Sequence, residues 1–194
     1  TSFLSAAGGT FTRASTATFY DSTGTLQTAA SGAPRFDYDP VTHTAKGILI
    51  EESRTNILTQ SKNFSGWTNN NSSTVTPNAV ASPDGTTNAT TISSSTMFSG
   101  IFNKGTVANG NTYTQSVYIK YVSGSSTSAR LGCDTINGYI QVNPQTMAIT
   151  SVASGVTSSN VTNIGNGWYR FSWRFSATST GDYAFVIYNA TSSA

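Results

Sequence analysis

The sequence predicts an all-β protein, a jelly-roll β-sandwich preceded by N-terminal β-hairpins, and three observations carry that expectation. Ser and Thr make up nearly a third of the 194 residues, while Asp, Glu, Lys and Arg make up only 9%, against roughly 25% in ordinary soluble domains. Solubility then rests on hydroxyls, Asn and Gly, a composition that suits strands and turns and lacks the Glu, Lys, Ala and Leu of surface helices. No long segment repeats its apolar residues at helical spacing, and from Asn88 onward short apolar or alternating runs recur between turn signals. Many short strands punctuated in this way form a sandwich or jelly roll.

Taken in order, Ala17 to Tyr20 and Thr25 to Thr28 flank Asp21-Ser22-Thr23-Gly24, a four-residue turn that predicts a first hairpin. Arg35 to Tyr38 and Gly47 to Glu51 predict a second, opened by Asp39-Pro40 and closed by Gly47. Two hairpins are too small to bury a core alone, and Phe11, Phe19, Tyr20 and Phe36 need a covering surface. Residues 59–88 read as loop, with Trp67 as a lid over one end of the sandwich. Strands are expected near 88–92, 97–102, 111–122, 129–133, 138–142, 147–152, 160–164, 167–177 and 182–189.

Two strands show their faces by alternation. Tyr113, Val117, Ile119 and Tyr121 share one side of the run 111–122, with Thr112, Thr114, Ser116 and Lys120 on the other. Tyr169, Phe171, Trp173 and Phe175 form an inward aromatic row, with Arg170, Ser172 and Arg174 outward. Each buried ring contributes roughly 1.5 to 3 kcal/mol.

The chain is organised around residues 34–58. Seven of its 18 charged side chains fall there, too many for chance in so weakly charged a sequence. Arg35, Glu51, Glu52, Arg54 and Asn56 are expected to form a structural clamp at an irregular corner, with Arg54 buried or half-buried where an N-terminal region, 1–60, meets the sandwich, 61–194.

Enzyme chemistry finds little support. His43 is the single histidine, at a hairpin tip, and no G-x-S-x-G elbow occurs. The eight carboxylates offer few pairs for glycoside hydrolysis, and the adjacent Glu51 and Glu52 point to opposite faces of a strand. The single Cys133 excludes an internal disulfide and a thiolate zinc cluster, and is expected to pack as a small apolar residue. No cofactor is expected. Asp37, Asp39 and Asp84 have the oxygen chemistry of a calcium site, but turn-forming roles explain each equally well. A net charge of +2, small and scattered, argues against nucleic acid, and no apolar run is long enough to insert into a membrane.

Sugar binding suits such a surface better, because pyranose rings stack on flat aromatics while Asn, Gln, Asp and Arg read hydroxyls. The outward candidates are Tyr118, Tyr139, Trp168 and Tyr188, with Arg170, Arg174, Gln115 and Gln141 as polar companions. A one-residue register error would invert any strand's assignment.

The runs FTRASTATFYDSTGTLQTA, PRFDYDP and GILIEESRTNIL, together with NIGNGWYRFSWRF at 163–175, resemble a cassette of tailed-bacteriophage virion proteins. These are head spikes, head fibres and tail-fibre-like proteins with a carbohydrate-binding-module-like jelly roll. The resemblance spans nearly the whole chain. It implies a non-catalytic protein on the virion surface, made in the host cytoplasm and attached through its N-terminal region to capsid, portal or tail proteins. It further implies a homo-oligomer, with a trimer the leading expectation, and a jelly roll presented to host glycans. The rival expectations are a structural adaptor or capsid decoration protein that binds no sugar, and a carbohydrate-binding module of a hydrolase. The cassette usually adds one more apolar strand, which implies a closing strand beyond Ala194, or one supplied by the N-terminus or a neighbouring subunit.

Overall fold

The computed structural model describes residues 11–58, 61, 64, 66–94 and 96–190. Fifteen strands and no helix are present among them, and every strand pairing is antiparallel. The chain divides into two units. One comprises 1–54 with 83–86, the other 55–82 with 87–194.

The first unit holds two hairpins, β1 (Ala17–Tyr20) with β2 (Leu26–Ala29) and β3 (Phe36–Tyr38) with β4 (Ala45–Ile48). Aspartates build both turns. Asp21 Oδ1 accepts from the backbone N–H of Thr23 at 2.9 Å and of Thr25 at 3.1 Å, and from the Thr23 hydroxyl at 2.6 Å. Asp39 Oδ1 accepts from the N–H groups of Val41 and Thr42 at 3.0 and 2.9 Å. Gly24 is required twice over: its φ is +76°, and a Cβ there would lie 2.4 Å from the Pro40 carbonyl oxygen. Asp37 accepts from the Tyr20 N–H at 2.9 Å and so joins the two hairpins. Asp84 Oδ1 accepts from the Thr86 N–H at 2.9 Å, so Asp37, Asp39 and Asp84 each accept backbone hydrogen bonds, local for Asp39 and Asp84 and between hairpins for Asp37.

The expected clamp survives only in part. Arg35 is buried, and its Nη1 donates to the Thr18 carbonyl at 3.0 Å and pairs with Glu51 at 2.8 Å. Arg54 is not buried, contrary to expectation: among the described residues it pairs with Glu52 alone, and both side chains are more than three-quarters exposed. Asn56 is exposed and caps its own turn, accepting from the Leu58 N–H at 3.0 Å. The physical reason is parity. Arg35 precedes a paired strand that turns it inward, whereas residues 51–57 form no ladder to direct theirs. Arg13 is a second staple: it donates to the carbonyls of Ser15 at 2.7 Å and Ala33 at 2.9 Å.

The second unit contains a six-stranded sheet in the order β12 (Ala148–Val152), β11 (Gly138–Asn143), β10 (Ala129–Cys133), β15 (Gly181–Asn189), β8 (Gly100–Val107), β5 (Thr68–Asn70). A three-stranded sheet orders β13 (Val156–Asn163), β14 (Trp168–Ser176) and β9 (Thr112–Lys120). Their inner faces share one core, with Leu131, Ile140, Val142 and Phe185 from the first and Phe171, Trp173 and Phe175 from the second. Trp173 Nε1 donates to the Gly138 carbonyl at 3.0 Å across that core. Phe175 stacks on Tyr113 at 5.7 Å between centroids. Cys133 is fully buried among these side chains.

One expectation fails on topology. The stretch read as loop contains β6 (Thr74–Val80), which pairs in a hairpin with β7 (Ala89–Ser93), the strand expected near 88–92. Pro77 disguised β6, because proline is tolerated where a ladder is interrupted: the register shifts between Thr76 and Val80, and Asn78 has φ +53°. The last strand, β15, is central and paired on both sides, to β10 and β8, so it presents no open edge. The run Thr191 to Ala194, on which the missing-strand expectation partly rests, lies outside the described residues.

Candidate functional site

Alternation on β10 turns Leu131 and Cys133 into the core and Arg130 to the outer face of the six-stranded sheet. In register, Arg130 lies opposite Gln141 of β11 on one side and Tyr188 of β15 on the other. Its guanidinium sits 4.4 Å from the Tyr139 ring centroid and 5.5 Å from that of Phe98, a cation between two aromatic rings. Nη1 pairs with Asp134 at 3.0 Å, while Arg130 Nε and Asp134 Oδ1 are both buried with no hydrogen-bond partner. Burial, and then the Asp134 charge, raise the Tyr188 phenol above the ordinary tyrosine range.

Local backbone holds the patch in place. Gly132, between Arg130 and Asp134, has φ +120°, and a Cβ there would lie 2.8 Å from the Tyr139 Cα, so bare backbone lets β11 approach. Phe98, 40% exposed, is fixed by main-chain bonds. Its N–H donates to the Asn189 carbonyl at 2.8 Å, and its carbonyl accepts from the Asn70 side chain at 2.8 Å. The result is an aromatic surface with a guanidinium and a carboxylate at its centre, suited to stacking a sugar ring and reading its hydroxyls.

The remaining candidates do not join this patch. Tyr118, Arg170 and Arg174 lie on the outer face of the three-stranded sheet, on the far side of the core. Arg170 is opposite Tyr118 in register, with its guanidinium 5.9 Å from the tyrosine ring. Trp168 belongs to neither face: although its parity is outward, it is 8% exposed, and its Nε1 donates to the Ala81 carbonyl at 3.1 Å, where the chain leaving β6 covers it. Gln115 also fails as an outward companion. It is opposite the buried Trp173, and its Oε1 is buried without a partner. Trp67 meets Phe64 edge-on at 5.0 Å, with its Nε1 buried and unpartnered.

Sequence reasoning missed Arg130 and Phe98. The Arg130 signal was present, since Leu131 and Cys133 at alternate positions turn residue 130 outward. Phe98 carried none, because it lies in a turn, at φ +56°, where alternation says nothing. Among the described residues no group of three or more His, Cys, Asp or Glu is placed to hold a metal ion. The chain matches no protein-family model, and no curated protein matches it significantly.

Proposed function

We propose that this chain is a non-catalytic surface protein of a bacteriophage virion that presents its sandwich unit for glycan binding. The observation that carries the binding reading is the packing of Arg130 against Tyr139, with Tyr188 beside it on the same sheet face. A guanidinium held against a ring keeps both stiff, which lowers the entropy a ligand must overcome when it docks. The virion assignment rests on the likeness of residues 10–58 and 163–175 to the phage cassette.

The test is a glycan array probed with the purified chain and with Tyr139→Ala and Arg130→Gln. Binding to a defined glycan set that both variants lose supports the reading. A clean array for a folded, particle-associated protein overturns it in favour of the structural adaptor. One observation favours the adaptor: Phe36, Val41 and Ile50 of the hairpin unit are 47, 50 and 83% exposed. Apolar groups so exposed suit docking to another virion protein or to further copies of the chain.

A further inference from the structure

The outer face of the three-stranded sheet has a charge pattern found nowhere else among the described residues. Lys120, Arg170 and Arg174 all point outward from it, and none of its three strands contains an Asp or Glu. Those three cations outnumber the net charge of +2 carried by the whole sequence. Of the other described cations, Arg35, Lys46, Arg54 and Arg130 each pair with a carboxylate, Arg13 donates to backbone carbonyls, and Lys104 stands alone on β8. Among the described residues Lys120, Arg170 and Arg174 join no ion pair. The only side-chain hydrogen bond found for the three is a long one from Arg170 to the Ser116 hydroxyl, 3.4 Å. Charges that look scattered in the sequence are gathered by strand order into one unopposed group.

The surroundings narrow the partner. Apart from Tyr118 and the largely covered Trp168, the outward positions of β9, β13 and β14 are short hydroxyl or amide side chains and the three cations. The surface is therefore low and rich in hydroxyls. Arg170 and Arg174 are four residues apart on one strand, about 13 Å at the usual rise. That is wider than one pyranose ring, so a linear polymer could meet both arginines through different sugars. Guanidinium groups match planar carboxylates with two parallel hydrogen bonds, and Tyr118 beside Arg170 offers a ring to stack a sugar. A single-stranded nucleic acid would need aromatic platforms for successive bases, and this face exposes one.

We propose that the outer face of β9, β13 and β14 binds an acidic polysaccharide through Arg170 and Arg174, with Lys120 adding long-range attraction. The inference shares the glycan-binding premise of the proposed function but concerns the opposite face, so the two can fail separately.

The experiment measures binding of the full 194-residue chain to polygalacturonate by affinity electrophoresis and calorimetry, beside its methyl-esterified form and a single-stranded oligonucleotide. Binding of polygalacturonate, weakened by salt and absent for the ester, is expected. Arg170→Gln with Arg174→Gln should weaken it about tenfold or more, the loss expected for charge-assisted hydrogen bonds. Arg54→Gln, an exposed cation in the hairpin unit, should leave it unchanged. Both sheet arginines are exposed, so the double variant should keep its fold, checked by near-ultraviolet circular dichroism. The proposal is overturned if polygalacturonate does not bind, if the double variant binds equally well, or if the oligonucleotide binds as tightly. Run in parallel, Tyr139→Ala should keep its polygalacturonate binding whatever its array signal. Loss of polygalacturonate binding in that variant would assign the acidic ligand to the other face and sink this inference alone.

Discussion

Arg35 and Glu51 meet at 2.8 Å with very different burial, the arginine side chain 6% exposed and the glutamate 59%. The pair is anchored from the arginine side, because the same guanidinium nitrogen also donates to the Thr18 carbonyl. Arg35→Ala removes both contacts and leaves a gap, and should destabilise the hairpin unit by about 2 to 3 kcal/mol. Arg54→Ala breaks only an exposed pair and should change stability by less than about 0.5 kcal/mol. Urea titrations that follow the hairpin amides by nuclear magnetic resonance compare the two; equal losses would contradict the assignment.

Acid should open the first turn before it opens the sandwich. The Asp21 carboxyl is lowered to about 2, chiefly by the hydrogen bond from the Thr23 hydroxyl; burial opposes this, and Gln27 and the Thr23 and Thr25 amides lower it further. A carboxylate whose pKa is depressed by folding stabilises the fold above its unfolded value near 4. That stabilisation is lost as pH falls through about 2. The amide signals of Thr23 and Thr25 should therefore shift between about pH 4 and 2, and should do so far less in Asp21→Asn.

Gln115 is a polar residue in an aromatic neighbourhood, opposite Trp173 with its Oε1 unpartnered. A buried acceptor without a donor costs about 1 to 3 kcal/mol. Gln115→Met, of similar shape, should raise stability by about 1 kcal/mol in urea denaturation monitored by tryptophan fluorescence. A clear loss would mean that the side chain is satisfied in solution.

Cys133 is fully buried and burial raises its thiol pKa, so too little thiolate is present for attack. It should resist a disulfide reagent such as dithionitrobenzoate at about pH 8, then react fully once denaturant unfolds the sandwich. Prompt reaction in the native state would show that the core around β10 opens readily.

Where alternation reaches a residue through its own strand, the sequence alone determined the outcome. It specified the all-β class, the span of β10, the inward aromatic row of β14, the inward side of β9 and the outward arginines 170 and 174. These follow from a backbone geometry that turns successive side chains to opposite faces. Tertiary structure alone decided what covers a face and which strands share it. Trp168 has the right parity for a sugar platform, yet the chain after β6, eighty-seven residues earlier, covers it. Arg54 lies in the densest charged stretch, yet Arg35 is the buried partner. Tyr139 and Tyr188 were grouped with Tyr118 and Arg170, yet strand order puts the pairs on opposite sides of the core, and it also brings Arg130 between Tyr188 and Gln141. The reason is range: side-chain parity is set by neighbouring peptide units, whereas strand order is set by how distant apolar rows pack together.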